Sequence, residues 1–340
     1  MPPSANCQRA ADPVVAVPIF RLATRRPIHN VQKARLANSK SCATFEMKYP
    51  RQSHNFREPV IGSSFTSVTE SAPLGRQRRV RLLSFNIQAG IATSKYRHYL
   101  THSWKHVLPC AERLDTLDRI AALASEFDFV GIQESDAGSL RSAFINQTEY
   151  LATRADFPYW YDQTNRNLGH LGQHSLGLLS RFRPNEITEM RLPGMIPGRG
   201  ALCARFGAGE SALTVLIVHL ALGRRARERQ FAALAEMIAD EPHVILMGDL
   251  NCRSESQEMQ WLLTRTDLSE PTHGLYTFPS WRPRRNIDHI LVSSSIQVDS
   301  VRVLNHMISD HLPIAMDVTL PDHAGLNRPS AALERRAAGF

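Results

Sequence analysis

A chain of 340 residues with 43% hydrophobic content can hold one large domain or two ordinary ones, which excludes a wholly disordered protein. Its net charge of +8 is concentrated at the start: residues 1–80 hold 13 of the 40 Lys/Arg and 4 of the 32 Asp/Glu, a net of +9, and the 27 basic and 28 acidic residues that follow leave −1. That distribution removes any global electrostatic argument for a polyanion partner of the ordered region.

Residues 1–79 mix Pro, Ser, Arg, Asn and Gln without sustained period, as in RQSHNFREPVIGSSFTSVTESAPLGRQRR, and are expected to form a disordered basic extension. Three accounts of it stand open: a start codon upstream of true translation from a Met such as Met47, a basic interaction tail, or an Arg- and Ser-rich transit peptide. A basic region of this kind is attracted to anionic lipid by about 1 kcal/mol per Lys/Arg close to the surface, so peripheral membrane contact is expected of it.

From Val80 the chain turns to short apolar runs separated by turns. VRLLSFNI (80–87), FDFVGIQES (127–135), SLGLLSRF (175–182), ALCARFG (201–207), ALTVLIVHL (212–220), HVILMGDLN (243–251), NIDHILVSS (286–294) and LPIAMDVTL (312–320) are of strand length and rich in Val, Ile, Leu and Phe. Two amphipathic helices lie between them. AERLDTLDRIAALASEF places Leu114, Leu117, Ile120 and Leu123/Ala124 at helical spacing, and RRARERQFAALAEMIA (224–239) does the same with Phe231, Leu234 and Ile238. The expected fold is α/β (α+β): two packed, mainly antiparallel β-sheets flanked by helices, a four-layer α/β/β/α sandwich over residues 80–321, with a flexible tail at 322–340. The segment KYRHYLTHSWKHVLP (95–109) concentrates His102, His106, Tyr96, Tyr99 and Trp104, and either lines a cleft or covers a sheet edge.

Five cysteines, Cys7, Cys42, Cys110, Cys203 and Cys252, are odd in number and form no CxxC pattern, which predicts reduced thiols and a cytoplasmic location. Cys252 follows a polar motif but reads as a packed side chain. No run approaches the ~18 apolar residues of a membrane-spanning helix.

Several polar groups interrupt apolar strands near their C-terminal ends, where a rigid scaffold delivers side chains to one rim. These are Asn86 in LLSFNIQ, Glu134 in FVGIQES, His219 in LIVHL, and Asp249 and Asn251 in ILMGDLN. A buried charge such as Glu134 costs several kcal/mol unless paired or metal-bound. Asp249 and Asn251 would share a side if the chain stays extended, and Gly248 permits close approach of a ligand. Asp288 and His289 in NIDHIL, and Asp310 and His311 in ISDHLP, offer Asp–His pairs suited to acid–base work. A cysteine-free, carboxylate-rich set suits a hard cation, Mg²⁺ or Mn²⁺.

The ordered series FN, QE, a strand-borne His, GDLN, IDHI and SDHLP resembles the endonuclease/exonuclease/phosphatase superfamily from about Val80 to Leu320. The resemblance implies divalent-metal-dependent hydrolysis of a phosphoester. Glu134 would be the principal metal ligand, helped by Asn86, and Asp310 or Asp288 could reach a second metal. Asp249 would orient the attacking water, Asn251 would bind the phosphoryl group, and His219 and His311 would stabilise the transition state. Asp288 and Asp310 would orient the histidines, the pairing being open. Ser175, Leu176 and Gly177 stand where many relatives carry Gly-Asn-Ala, so Asn165, Arg166, His170, His174 and Arg199 become candidates for substrate contact.

QESDAGSLRS and QTEYLA look most like a bacterial branch related to glycolipid-anchor-remodelling and sphingomyelinase-like proteins. A lipid-headgroup or small-molecule phosphodiester is therefore the favoured substrate, acted on by a monomer. DNA or RNA is the alternative, for which the Arg-rich loops RFRP and SWRPRRN speak, and a non-catalytic binding module is a third reading.

Overall fold

Alternation along the strands decides the layers. Leu82 faces one core and Leu83 another, as do Ile217 and Leu216, so each central strand is buried on both faces. The computed structural model describes residues 78–90, 112–168, 170–194, 198–271 and 274–326.

The first sheet contains β1 (Arg78–Asn86), β2 (Phe129–Asp136), β3 (Tyr159–Asn167), β4 (Gln173–Ser180), β11 (Gln297–Val303) and β12 (Ile314–Leu320), in the order β11-β12-β1-β2-β4-β3. The second contains β5 (Glu186–Arg191), β6 (Gly200–Phe206), β7 (Leu213–His219), β8 (His243–Asp249), β9 (Leu268–Ser269) and β10 (Asp288–Ser293), in the order β5-β6-β7-β8-β10-β9. Each sheet is antiparallel except for one parallel pair, β1 with β2 and β7 with β8. A parallel pair needs a crossover, and helices supply it: α1 (Glu112–Ala124) lies between β1 and β2, and α3 (Arg224–Met237) between β7 and β8. Two further helices are α2 (Gln147–Arg154) and α4 (Gln257–Arg265).

Between the sheets, Leu82, Phe129 and Leu178 meet Leu202, Ile217 and Met247, and Phe129 packs edge-on to Phe206 with ring centroids 5.1 Å apart. Leu117, Ile120 and Leu151 cover the outer face of the first sheet, and Phe231, Leu234 and Leu262 that of the second. The result is the expected four-layer sandwich. Leu114 corrects the helix reading: it is 41% exposed, and Ala121 takes the inward place.

The C-terminal boundary also differs. Residues 322–326 pack against the domain, with Leu326 in the inter-sheet core, its carbonyl bonded by Arg78 and the Gly325 amide donating to Ser211 O at 2.8 Å. The expectations for 1–77, 95–109 and 327–340 lie outside the described residues. No described helix is long and apolar enough to cross a membrane.

Candidate active site

Three of the predicted residues end parallel strands, Asn86 on β1, His219 on β7 and Asp249 on β8, and Glu134 lies two residues before the end of β2. Strand register then builds a row. Gly200, His219, Asp249 and Asp288 are successive partners across β6, β7, β8 and β10. Asp288 begins its antiparallel strand, so it joins the same rim.

Glu134 reaches that rim through a bulge. The β2–β4 register shifts between Ile132 and Ser135, and Glu134 adopts φ 56°, a left-handed conformation that costs a non-glycine residue about 1 kcal/mol or more. The bulge turns the carboxylate from the strand face toward His219, whose Nε2 lies 3.7 Å from Glu134 Oε1 and 3.5 Å from Asp249 Oδ2. Asn86 closes the group: its Nδ2 donates to Asp249 Oδ2 at 3.2 Å, its Oδ1 accepts from Gln88 N at 3.2 Å, and it also bonds Glu134.

On the other side stands His311, with Nε2 4.0 Å from Asp249 Oδ2 and Nδ1 2.8 Å from Asp288 Oδ2. Thr277 Oγ1 donates to the same Asp288 oxygen, and the Phe278 ring packs on the imidazole with centroids 4.8 Å apart. Asp288 thus pairs with His311, which answers one half of the pairing question. Asp310 makes no hydrogen bond to either histidine among the described residues. It accepts from Ser309 Oγ at 3.2 Å.

The electrostatics separate the two histidines. Burial pushes His219 down to about 3, with the Arg199 charge adding to it, so its ring is neutral. Burial also opposes the charge on His311, but Asp288, Asp249 and Asp310 overcome it and raise the imidazole to about 10. Burial and the neighbouring Asp288 charge lift Asp249 to about 7, and burial, with Glu134 nearby, lifts Asp310 to about 6. For Glu134 the burial penalty is outweighed by His219, His311, Asn86 and Arg199, and the carboxyl is held below its ordinary value.

Among the described residues, the closest set of metal-competent donors is one atom each from Asp249, Asp288 and His311, all within 4.8 Å of one another. His311 as an imidazolium has no free lone pair for a cation. Glu134, anionic and about a third exposed, with the Asn86 amide beside it, fits a hard divalent ion better.

Asn251 departs from the extended path expected of it. Its φ is 52°, its N–H donates to Asp249 Oδ1 at 2.9 Å, and its Nδ2 donates to Leu220 O at 2.9 Å, so the amide is fixed by the turn. Gly248 makes room for β7 rather than for a ligand, since a Cβ there would lie 1.9 Å from Val218 O. His289 points to the opposite face from Asp288 and is held by Glu270 and the Cys252 carbonyl, both at 2.9 Å. The Cys252 thiol, pushed up to about 12 by burial, is packed and inert.

Of the five candidate substrate residues, Asn165, Arg166, His174 and Arg199 lie along the edge formed by β3, β4 and the start of β6, and His170 is exposed in the turn between β3 and β4. Arg199 acts electrostatically on Glu134 and Asp249, and His174 is pushed down to about 4 by burial and by Arg141, whose Nη1 is 3.5 Å away. Asn165 has a buried Oδ1 with no hydrogen-bond partner among the described residues, beside Gly200, and Arg166 packs on Gly198. Leu176, by contrast, is in the inter-sheet core. Two features had no sequence signal: Thr277, a loop threonine that secures Asp288, and Asp136, which accepts hydrogen bonds from Ser139, Arg141, Ser142 and the Gln173 amide.

Comparison with curated protein sequences finds no match. Solved structures of similar fold include an endonuclease/exonuclease/phosphatase from Beutenbergia cavernae (TM-score 0.56, 20% identity, 72% of each chain covered). The mannosyl-6-phosphatase of Bacteroides thetaiotaomicron is similar at TM-score 0.53 and 17% identity, over 70% of this chain and 99% of that one. So is D. rerio TDP2 complexed with a single-strand DNA product, at 0.52 and 17%, over 71% and 98%. At such identities the likeness is one of fold. Residues 83–311 match the Endonuclease/Exonuclease/phosphatase family, and with about two thirds of its length matched the chain belongs to this family of metal-dependent phosphoesterases.

Proposed function

We propose that this chain hydrolyses a lipid-headgroup or small-molecule phosphodiester with Mg²⁺ or Mn²⁺. The observation that carries the catalytic reading is the convergence, within 3.2–4.0 Å links, of Glu134, Asn86, His219, Asp249 and the His311–Asp288 pair on one rim. Glu134 and Asn86 would hold the metal, with Asp310 near enough in charge to bear on it. When bound, the ion supplies neutralisation of the non-bridging phosphoryl oxygens and Lewis-acid polarisation.

The protein's own groups divide the remaining work. Asp249, raised to about 7, accepts a proton from the attacking water near neutral pH. His311, kept protonated by Asp288, donates to the charge that develops on the phosphoryl or leaving oxygen. Neutral His219 lies between the two carboxylates and offers a hydrogen bond to the phosphoryl group. Asn251, fixed by its turn, presents its amide to the same oxygen, and Arg199, His174, Asn165 and Arg166 line the approach.

The near-neutral charge after residue 80 supports a lipid or small substrate over a nucleic acid. The test is turnover with and without Mg²⁺ or Mn²⁺ on phospholipids, a bis-aryl phosphodiester and plasmid DNA, with Glu134→Ala as control. Metal-dependent lipid or diester cleavage absent from the control supports the proposal, whereas efficient nicking of plasmid moves the assignment to a nuclease.

A further inference from the structure

Three large apolar side chains are exposed on the loops that follow β2 and join β3 to β4: Phe144 is 63%, Leu168 45% and Leu171 55% exposed. They belong to two loops that touch. The Leu140 amide donates to His170 O at 2.7 Å, and Ser139 Oγ reaches Leu171 O at 3.4 Å. Phe144 also carries a backbone cost, since it and Ala143 both adopt left-handed φ, 62° and 54°, where a bulky residue is rare. A strained backbone that holds a phenyl ring outward is not explained by folding, because burying the ring would stabilise the chain.

The charge around these side chains is one-sided. Segments 137–146 and 165–174 contain no carboxylate, and Arg166 and His170 are exposed on them, whereas Arg141 is buried against Asp136 and His174 is held uncharged by burial. The buried Asp136 ties both loops to β2, accepting from Ser139 Oγ at 2.7 Å, Ser142 Oγ at 2.9 Å and the Gln173 amide at 3.3 Å. Asp136 is two residues from Glu134, so the apolar tips sit at a fixed offset from the proposed metal ligand. Apolar tips beside the exposed Arg166 guanidinium, on loops that carry no exposed carboxylate, match the two layers of a lipid surface, acyl chains beneath anionic phosphates.

We propose that Phe144, Leu168 and Leu171 form a membrane-contacting rim that seats the active site against a lipid surface. The inference deepens the headgroup reading and rests on it for its purpose, but its test is independent of turnover. Full-length protein is floated with vesicles of pure phosphatidylcholine and of equimolar phosphatidylcholine and phosphatidylserine, at high salt to screen the basic extension. It is compared with the triple variant Phe144→Ser/Leu168→Ser/Leu171→Ser and with single Leu168→Ser. Melting temperature and metal-dependent hydrolysis of a soluble bis-aryl diester are followed in parallel.

The expected result is at least a tenfold loss of vesicle partition in the triple variant, an intermediate loss in the single one, and unchanged melting and soluble turnover. Equal flotation of wild type and variants overturns the proposal, as does a wild type that does not float. A large fall in melting temperature also overturns it, since the rim is then covered by the chain itself. If the rim binds vesicles but no lipid is cleaved, the headgroup reading fails and the rim stands. Lipid cleavage with variant-independent flotation has the opposite meaning: the headgroup reading stands and the rim fails.

Discussion

Asp249 and Asp288 are register partners across β8 and β10, so two buried carboxylates stand side by side on one face of the sheet. The pair sets both ends of a pH profile. In the proposed mechanism Asp249, raised to about 7, works when deprotonated, and His311, raised to about 10 by Asp288, works when protonated, so turnover should be bell-shaped between those limits. Asp288→Asn removes a like charge from Asp249 and the counter-charge from His311, and both limbs should move to lower pH while kcat falls by roughly 10²–10⁴. A bound cation displaces both limbs as well, so the profiles are compared at one fixed Mg²⁺ concentration. An unchanged alkaline limb in the variant would sink the assignment of His311.

Metal binding and chemistry should come apart by mutation. A ligand present at a hundredfold over its Kd stabilises the folded state by about 2.7 kcal/mol, which thermal melting resolves. Glu134→Gln is expected to abolish the Mg²⁺-dependent rise in Tm together with activity. His311→Ala should keep the Tm response and lose turnover. If His311→Ala abolishes the metal response instead, the Asp249, Asp288 and His311 group is the metal site and Glu134 is not.

How much of this was legible in the sequence follows from burial. The eight apolar runs are β1, β2, β4, β6, β7, β8, β10 and β12, all interior strands. The four strands that gave no signal, β3, β5, β9 and β11, are the four sheet edges. An edge strand packs on one side only and admits polar residues such as those of YWYDQTNRN and QVDSVRV, which erases the apolar pattern. Helices α2 and α4 hide for a related reason: in QTEYLATR and QEMQWLLTR polar residues such as Gln147 and Glu258 are themselves buried. The site residues stood out because a polar group in an apolar strand is conspicuous. Their pairing did not, because it depends on register and on the bulge at Glu134.

Gly248 should be irreplaceable on backbone grounds alone. Its φ of 153° is rarely adopted by other residues, and a Cβ would fall 1.9 Å from the Val218 carbonyl oxygen and 2.9 Å from its carbon. The obstacle is the backbone of β7, which cannot move without breaking its register with β8. Gly248→Ala is therefore expected to destabilise the fold by at least about 3 kcal/mol, the sum of strain and overpacking. Urea denaturation measures it, and a loss under about 1 kcal/mol would show that β7 and β8 can separate locally.

Asp136 anchors the loop beside the site, and its stability contribution carries a sign that can be checked. Burial opposes its charge, but Arg141 and Ser139 prevail and hold the carboxyl at about 2, below its ordinary 3.8. A depressed carboxyl stabilises the fold above its unfolded pKa and loses that contribution as pH falls toward the folded value. The shift corresponds to roughly 2 kcal/mol, present at neutral pH and lost between about pH 4 and pH 2. Asp136→Asn should remove it, so the stability gap between wild type and variant narrows across that window. Asp136→Ala should cost more, about 3–5 kcal/mol, because it strands the buried Arg141 guanidinium. Denaturation curves at stepped pH read both effects, and a gap that stays constant from neutral pH down to the acid transition would mean that Arg141 is satisfied by other partners.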